Sequence, residues 1–269
     1  MGPRILLIGQ GSMLGASLIA AAPNQVCAVP HTVNIENIEY DAFDAVVNMT
    51  YPPVYRRERY CEDYDSDLRV AKAIVAQRVT RPQFFLMSSR KVYGNHCGRL
   101  INEDAALLAT DHYGINKAIT ERSISQILDD RCTILRIGNV FDFELGRSSF
   151  FGIALERLRA QGEIILDCSP FTCRDFIPLA DFTKSLLALI ERRSTGVFNI
   201  GSGQSTPLGK IALWIIEGFG RGRLIIDSPV ENDAFALDIR RLVKEIGPLN
   251  CEISTRCREI GEQLAWTVS

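Results

Sequence analysis

The sequence predicts an α/β fold built on a doubly wound parallel sheet, with a smaller C-terminal lobe interleaved with it. Three observations predict this fold. Short apolar runs alternate with segments of helical periodicity, a glycine-rich turn follows the first run, and the second half is less regular. The 269 residues, 46% of them hydrophobic, are enough for one large domain or for one domain with a smaller lobe.

The first half is expected to alternate strands with helices. Residues 4–8 form a continuous apolar run that ends at glycine, which is typical of a buried parallel strand. By the same patterns, strands are predicted at residues 26–29, 42–49, 83–87 and 132–137, and helices at residues 16–22, 63–79 and 111–128. Residues 30–44 are short for a full crossover of helix and strand, so this edge of the fold is expected to be abbreviated.

The second half carries weaker patterns. Helices are predicted at residues 150–161, 179–192, 208–218 and 238–246, and strands at residues 164–166 and 197–200. No internal repeat, low-complexity segment or long linker separates the two halves, so the lobes are expected to interleave.

Composition excludes several classes of partner. Lys and Arg number 30 and Asp and Glu number 32, so the net charge of −2 provides no basic field for nucleic acid. The sequence contains no stretch of 18 apolar residues, so no membrane span is expected, and the N-terminal apolar run is too short for a signal sequence. The eight cysteines lack paired spacing. We interpret most of them as small hydrophobic residues of a cytoplasmic protein, with no metal site at His96 and Cys97.

A glycine-rich turn between the first strand and the first helix indicates an anion site, because helix N-termini present free N–H groups and a positive dipole end. Gly9 suits the tight turn, Gly15 suits close helix packing, and Gly11 or Ser12 is left to meet a pyrophosphate. We therefore predict binding of NAD or NADP; an ordinary strand–helix turn is the alternative. The predicted cofactor-binding residues of the turn are Gly9, Gly11, Ser12, Met13, Leu14 and Gly15. The second predicted strand ends with neither an acid nor an arginine, so the sequence does not choose between the two cofactors.

A tyrosine and a lysine four residues apart, Tyr113 and Lys117, are expected on one face of a helix. There the ammonium stabilises the phenolate, and the hydroxyl of Ser89, which follows a predicted strand, can share the partner of the phenol. Such a set transfers a proton in a carbonyl/alcohol couple. The alternative is an ordinary amphipathic pair on a surface helix.

Six segments in order resemble the motifs of the extended short-chain dehydrogenase/reductase family, which includes nucleotide-sugar epimerases, dehydratases and reductases. They are residues 9–15 (GxxGxxG, with Ser12 at the middle glycine), 87–94 (SSxxVYG), 113–117 (YxxxK), 135–141 (LRxxNVYG), 174–181 (RDFIxVxD) and 196–203 (GVYNxGSG). The resemblance covers nearly the whole chain. It implies a Rossmann domain at residues 1–145 plus 176–202, and a substrate-binding lobe at residues 146–175 plus 203–269. It also makes a homodimer an expectation.

The resemblance implies a role for each matching residue. Tyr113 is expected to be the general acid/base, Lys117 to hold the nicotinamide ribose, and Ser89 to be the catalytic serine. Hydride would pass between a sugar carbon and the nicotinamide. Asn139 is expected to contact the substrate, and Arg174 its diphosphate. From the residues alone, Asn139 could equally cap its strand, and Arg174 could pair with Asp175 or Asp181.

Three departures from the family pattern narrow the function. Arg90 and Lys91 follow Ser89 where 4,6-dehydratases resemble one another in carrying two acids, which argues against elimination of water. Residues 228–233 contain no arginine where relatives often carry one for the diphosphate, and Arg221 or Arg223 would have to replace it. Asp67 stands where asparagine is usual.

The resulting hypothesis is an NAD(P)-dependent reductase or epimerase, acting on a carbonyl or hydroxyl of a nucleotide-activated sugar and distinct from a 4,6-dehydratase. Two alternatives stay open. One is a non-catalytic family member that binds the dinucleotide, and the other is a reductase of a small non-nucleotide carbonyl.

Overall fold

The computed structural model describes residues 2–78, 82–95 and 100–267. The strands are β1 (Ile5–Ile8), β2 (Val26–Val29), β3 (Ala45–Asn48), β4 (Gln83–Ser89), β5 (Leu100–Ile101), β6 (Cys132–Ile137), β7 (Asn139–Phe141), β8 (Glu163–Leu166), β9 (Cys173–Pro178), β10 (Gly196–Ile200), β11 (Ser205–Pro207), β12 (Arg223–Ile226) and β13 (Ala236–Leu237). The α-helices are α1 (Met13–Ala21), α2 (Ser66–Ala76), α3 (His112–Leu128), α4 (Phe150–Gln161), α5 (Leu179–Glu191), α6 (Leu208–Phe219), α7 (Arg240–Ile246) and α8 (Ile253–Trp266).

Six parallel strands form the central sheet in the order β10-β6-β4-β3-β1-β2, which confirms the predicted doubly wound α/β class. Strands β1, β3 and β4 are fully buried. Strands that are covered on both faces of a sheet are largely apolar, which explains the apolar runs in these three. All six strands point the same way, so their carboxyl ends lie along one edge. Ile8 pairs with Asn48, and Ser89 with Ile137, at that edge.

The connection from β2 to β3 is abbreviated, as its length predicts. It contains two 3-10 turns, Ile35–Asn37 and Tyr40–Ala42, in place of a helix and a strand. β2 is therefore the edge strand of the sheet, and Cys27 on it is exposed. Four of the seven cysteines in the described residues, Cys132 on β6 among them, are buried, whereas Cys27 is not.

The C-terminal elements pair in three small sheets, β11-β9-β7, β12-β8 and β13-β5. These strands are two to six residues long and, apart from β8, escaped prediction. The helix α8, which packs against α6, also escaped it. The predicted bounds of α1 to α7 hold to within three residues at each end. α2 begins at Ser66 because the Asp65 side chain accepts a hydrogen bond from the Leu68 N–H.

One hydrophobic cluster runs from β1 and β4 through α4, α5 and α6 to α8, while a second fills the other face of the sheet against α2 and α3. The first cluster crosses from the sheet into the C-terminal elements without a break. The division into a Rossmann domain and a substrate lobe therefore stays a prediction. Within the described residues, no helix is both long enough and apolar enough to cross a bilayer. His96 and Cys97 lie outside the described residues.

Candidate active site

The turn after β1 is built by two glycines. Gly9 has φ +90°, and a Cβ there would lie 2.9 Å from Thr50 Cγ2 and 3.1 Å from the Thr50 backbone nitrogen. A Cβ on Gly15 would lie 3.1 Å from the Gly9 carbonyl oxygen. These contacts explain the glycines at the tight turn and at the point where the helix packs on it.

Helix α1 begins three residues earlier than predicted, because the Ser12 side chain accepts a hydrogen bond of 2.9 Å from the Gly15 N–H and caps it. The first turn contains no acidic residue. A Cβ on Gly11 would meet nothing within 4 Å. Gly9, Gly11 and Ser12 line a cavity of about 690 Å³, so the turn faces open space beside a helix N-terminus. This arrangement fits the phosphates of a dinucleotide.

A second cavity of about 330 Å³ shares Ser12, Met49, Thr50 and Tyr51 with the first. It is lined by all three predicted catalytic residues and by three of the turn: Ser12, Met13, Leu14, Ser89, Tyr113 and Lys117. The structure therefore brings the carboxyl end of β4, the start of α3 and the start of α1 to one cavity.

The position of Tyr113 depends on a close approach of backbone to backbone. α3 is capped by Asp111, whose side chain accepts a hydrogen bond of 2.7 Å from the Gly114 N–H. A Cβ on Gly114 would lie 2.4 Å from the Lys91 carbonyl oxygen, so α3 can begin this close to the segment after β4 only with glycine there. Tyr113 is half-buried, and Ser89 is buried with its side chain accepting a hydrogen bond of 3.2 Å from the Lys91 N–H. His112, the neighbour of Tyr113, is exposed.

Lys117 is buried and paired with a carboxylate. Its Nζ lies 3.0 Å from Asp67 Oδ2, and Asn48 donates a hydrogen bond of 2.8 Å to Asp67 Oδ1. Burial raises the pKa of the Asp67 carboxyl, although Lys117 opposes that rise. Burial alone would lower the pKa of Lys117, but the Asp67 carboxylate and Tyr113 raise it overall. The departure at Asp67 thus lies directly under the predicted catalytic lysine.

Sequence reasoning missed an aromatic and cationic group above Tyr113. The Tyr51 ring meets the Tyr113 ring edge-to-face, with centroids 5.2 Å apart. The Arg56 guanidinium carbon lies 5.6 Å from the Tyr51 centroid and 6.0 Å from the Tyr113 centroid. Burial raises the pKa of Tyr51 to about 12, so its phenol stays neutral. No sequence motif marks the loop after β3, which contains Tyr51 and Arg56. The one signal in the sequence is a basic residue, Arg56, a few residues after the apolar strand.

A third cavity, of about 510 Å³, opens from the second through residues that both share. Ser89, Tyr113, Arg56 and Gly138 line both cavities, and Lys91, Asp111 and Asn139 line the third. Asn139 begins β7, where its backbone pairs with Phe176, and it also lines a fourth cavity of about 250 Å³ together with Arg174. Space for a substrate therefore continues from Tyr113 toward the C-terminal elements.

Arg90 and Lys91 both bind one acid. Arg90 is buried, donates to both oxygens of Asp233, and lies 3.9 Å from the Phe235 ring centroid. Lys91 Nζ lies 3.2 Å from Asp233 and 3.6 Å from Asp111. Burial works to raise the pKa of Asp233, but Arg90 and Lys91 lower it below its ordinary value, so Asp233 is ionised.

The Arg174 guanidinium donates to the backbone carbonyls of Asn232 and Asp233, at 3.0 and 3.2 Å. The alternative of an ion pair is wrong in the described structure. Asp175 instead accepts hydrogen bonds from Ser202 and Gly203, and Asp181 lies 3.9 Å from Lys184. Arg221 and Arg223, the suggested replacements for a diphosphate-binding arginine, also have other partners. Arg223 pairs with Glu163, and Arg221 lies over the Phe219 ring.

A buried polar network supports the strand ends beneath these cavities. Arg136 binds Glu121 through two nitrogens, donates to Tyr93 Oη at 3.2 Å and donates to the Glu103 carbonyl at 2.8 Å. Ser88 also donates to Glu121, which leaves its neighbour Ser89 as the serine that borders the substrate space.

No protein family model matches the chain. Solved structures are similar over almost the whole chain. One is TunA, an NAD-dependent NDP-hexosamine 5,6-dehydratase of tunicamycin biosynthesis, with 20% identity, a TM-score of 0.81, and 99% of this chain and 98% of that chain covered. A second is RMD from Pseudomonas aeruginosa complexed with NADPH, with 17% identity, a TM-score of 0.80, and 98% and 100% covered. A third is the UDP-N-acetylglucosamine 4-epimerase from Methanobrevibacter ruminantium M1, in complex with UDP-N-acetylmuramic acid, with 16% identity, a TM-score of 0.79, and 99% of both chains covered.

The fold is that of nucleotide-sugar dehydratases and epimerases. The resemblance seen in the six motifs is thereby confirmed at the level of the fold. Shared folds carry different reactions, so the choice among reactions depends on the residues of the site.

Proposed function

We propose that this protein is an NAD(P)-dependent reductase or epimerase that acts on a carbonyl or hydroxyl of a nucleotide-activated sugar. The observation that carries the proposal is the convergence of Ser89, Tyr113 and Lys117 on the cavity that the glycine turn also lines. Neighbouring structures contain NAD with UDP-glucose, and NADPH, which supports a dinucleotide in the first two cavities and a nucleotide sugar beyond them.

The proposed chemistry needs one proton donor and acceptor at the reacting oxygen. Tyr113 takes the proton from a sugar hydroxyl or gives it to a ketone, and the Ser89 hydroxyl hydrogen-bonds the same oxygen. Lys117, held by Asp67, binds the ribose next to the nicotinamide. The dinucleotide supplies the hydride chemistry, while the turn at Gly9–Gly15 holds its phosphates. Ser12, Met13 and Leu14 line the cavity where its reactive end would lie.

Elimination of water is disfavoured by the charges beside Ser89. Where a dehydratase of the 4,6 type needs an acid and a base, this chain has Arg90 and Lys91. The nearby carboxylate of Asp233 is occupied by both cations and is ionised. TunA, a 5,6-dehydratase, has the same fold, so the fold alone does not exclude elimination. Products with and without a new double bond separate the two reactions.

Substrate contacts are proposed for Asn139 and Arg174, which line the cavity farthest from the glycine turn. Arg174 faces this cavity with its guanidinium already bound to two carbonyls, so it can offer its remaining N–H donors to a diphosphate. A reductase of a small carbonyl would leave this cavity without a role. Inhibition of turnover by free UDP, GDP or dTDP supports a nucleotide sugar, and a lack of inhibition supports the small carbonyl.

The test is the Tyr113→Phe variant. We expect it to fold and to bind NADH or NADPH as the wild type does, as measured by thermal shift. Turnover of a keto-sugar panel, followed at 340 nm, should fall by about 10²- to 10⁴-fold because general acid/base catalysis is lost. Undiminished turnover would refute the role of Tyr113. Absence of turnover in the wild type, with cofactor binding retained, would favour a non-catalytic dinucleotide-binding protein.

A further inference from the structure

The positive charge of Lys117 is paired with a carboxylate inside the protein. Lys117 and Asp67 side chains are 5% and 4% exposed, and their charges sum to zero 3.0 Å apart. Asp67 cannot turn toward another partner, because Asn48 holds its second oxygen and is itself fixed by the Thr50 hydroxyl at 2.7 Å. A lysine in this pair binds and orients, and the Asp67 carboxylate offsets part of its positive potential at the phenol of Tyr113.

The other charges around Tyr113 are also largely matched. Lys91 and Arg90 stand against Asp233 and Asp111 on the substrate side. One cation is left. The described residues provide no carboxylate partner for Arg56, whose guanidinium carbon lies 6.0 Å from the Tyr113 centroid. Arg56 lines both the second and the third cavity, at the boundary where cofactor and substrate would meet.

We propose that Arg56 is a second cationic partner of Tyr113, beside Lys117, and that Asp67 positions Lys117 while offsetting part of its charge. This inference rests on the proposed function. In this arrangement Arg56 acts over the face of the tyrosine ring and stabilises its phenolate form, and Tyr51 packs against both groups. Lys117 is left to hold a ribose hydroxyl.

The first measurement needs neither cofactor nor substrate. Tyrosinate absorbance is followed against pH in the full-length protein, and the curve of a matched variant that also carries Tyr113→Phe is subtracted to isolate Tyr113. We expect Arg56→Gln to move the midpoint up by about one pH unit, because an exposed cation at this distance gives the lower end of the usual shift. Arg56→Lys should restore most of the wild-type midpoint.

For the Asp67→Asn variant we expect the Tyr113 midpoint to move in the opposite direction. It restores net charge to Lys117 and keeps the hydrogen-bonding shape, so the Tyr113 midpoint should fall. In the double variant Arg56→Gln/Asp67→Asn, the two effects should offset each other and bring the midpoint close to the wild type. An unmoved midpoint in Arg56→Gln, or a midpoint that rises in Asp67→Asn, would overturn the inference.

The second measurement is the pH–rate profile of the same variants. We expect Arg56→Gln to lose about tenfold in kcat near neutral pH and to regain it at higher pH, with the melting temperature unchanged. A pH-independent loss with a lowered melting temperature would show a merely structural role and would contradict the proposal. Because the absorbance measurement does not require turnover, failure of the inference and failure of the proposed function give different results.

Discussion

Gly9 and Gly11 lie two residues apart in the same turn, and the structure predicts opposite consequences for adding one methyl group to each. Gly9→Ala puts a residue with a side chain into a backbone conformation with φ +90°, which costs about 1–3 kcal/mol of stability. It also places Cβ within 2.9 Å of Thr50 Cγ2 and 3.1 Å of a backbone nitrogen that cannot rotate away. Such overpacking costs roughly 1–3 kcal/mol more. The free energy of unfolding should fall by about 2–6 kcal/mol.

Gly11→Ala is the matched control for stability. Its backbone is outside the left-handed region and its Cβ meets nothing within 4 Å, so the free energy of unfolding should stay within about 1 kcal/mol of the wild type. The new methyl group instead enters the cavity of about 690 Å³ beside the helix N-terminus. There it should weaken dinucleotide binding by at least about tenfold, because it displaces the pyrophosphate from the backbone.

The assay is thermal unfolding of both variants, followed by titration with NADH and NADPH. For a chain of this size, Gly9→Ala should lower the melting temperature by roughly 4–24 °C. Equal melting temperatures for the two variants would refute the assignment of strain to Gly9. Wild-type cofactor affinity in Gly11→Ala would refute the assignment of the turn to the phosphates.

Two further predictions concern buried charges. Glu121→Gln removes the carboxylate beneath Arg136, whose side chain is 7% exposed, and should cost about 3–5 kcal/mol in urea unfolding. Asp104→Asn, at the exposed pair with Arg241, is its control and should cost no more than about 1 kcal/mol; equal losses would contradict the reasoning. Burial raises the pKa of Asp175 to about 6 from 3.8, against hydrogen bonds from Ser202 that oppose the rise. The folded state therefore binds this proton more tightly than the unfolded state. Relative to Asp175→Asn, the wild type should lose about 2 kcal/mol of stability as pH rises from 4 to 6. A stability difference that is flat over that range, or that grows with pH, would contradict the shift.

The central sheet was predictable because its signals are local. β1, β3 and β4 each contain a continuous apolar run, and Gly9 marks the end of the first. Strands such as β7 and β9 have no such signal. They are three and six residues long, they contain Asn139, Arg174 and Asp175, and they exist because Asn139 pairs with Phe176 across the chain. Pairing at that sequence distance follows from the fold and leaves no periodicity in either segment.

The residues of the site also fall into those that the sequence alone could propose and those that it could not. The spacing of Tyr113 and Lys117 lies within one helix, and Ser89 ends one strand, so the sequence alone could propose the set. The partners of these residues come from elsewhere in the chain. Asp67 reaches Lys117 from another helix, and its identity signalled a departure without showing which residue it binds. Arg56 lies in a loop that no motif marks, and its place over the tyrosine ring follows from packing alone.

The central claim is that hydride passes to or from a sugar carbon under proton transfer by Tyr113. NADH and NADPH deuterated at the nicotinamide C4 are supplied with a panel of UDP-, GDP- and dTDP-linked keto-sugars, and the sugar products are analysed by mass spectrometry. We predict that the wild type places one deuterium on the carbon that carried the ketone and that Tyr113→Phe places almost none. This prediction would be contradicted by equal labelling in the two proteins, or by no labelling in a wild type that binds both cofactor and sugar.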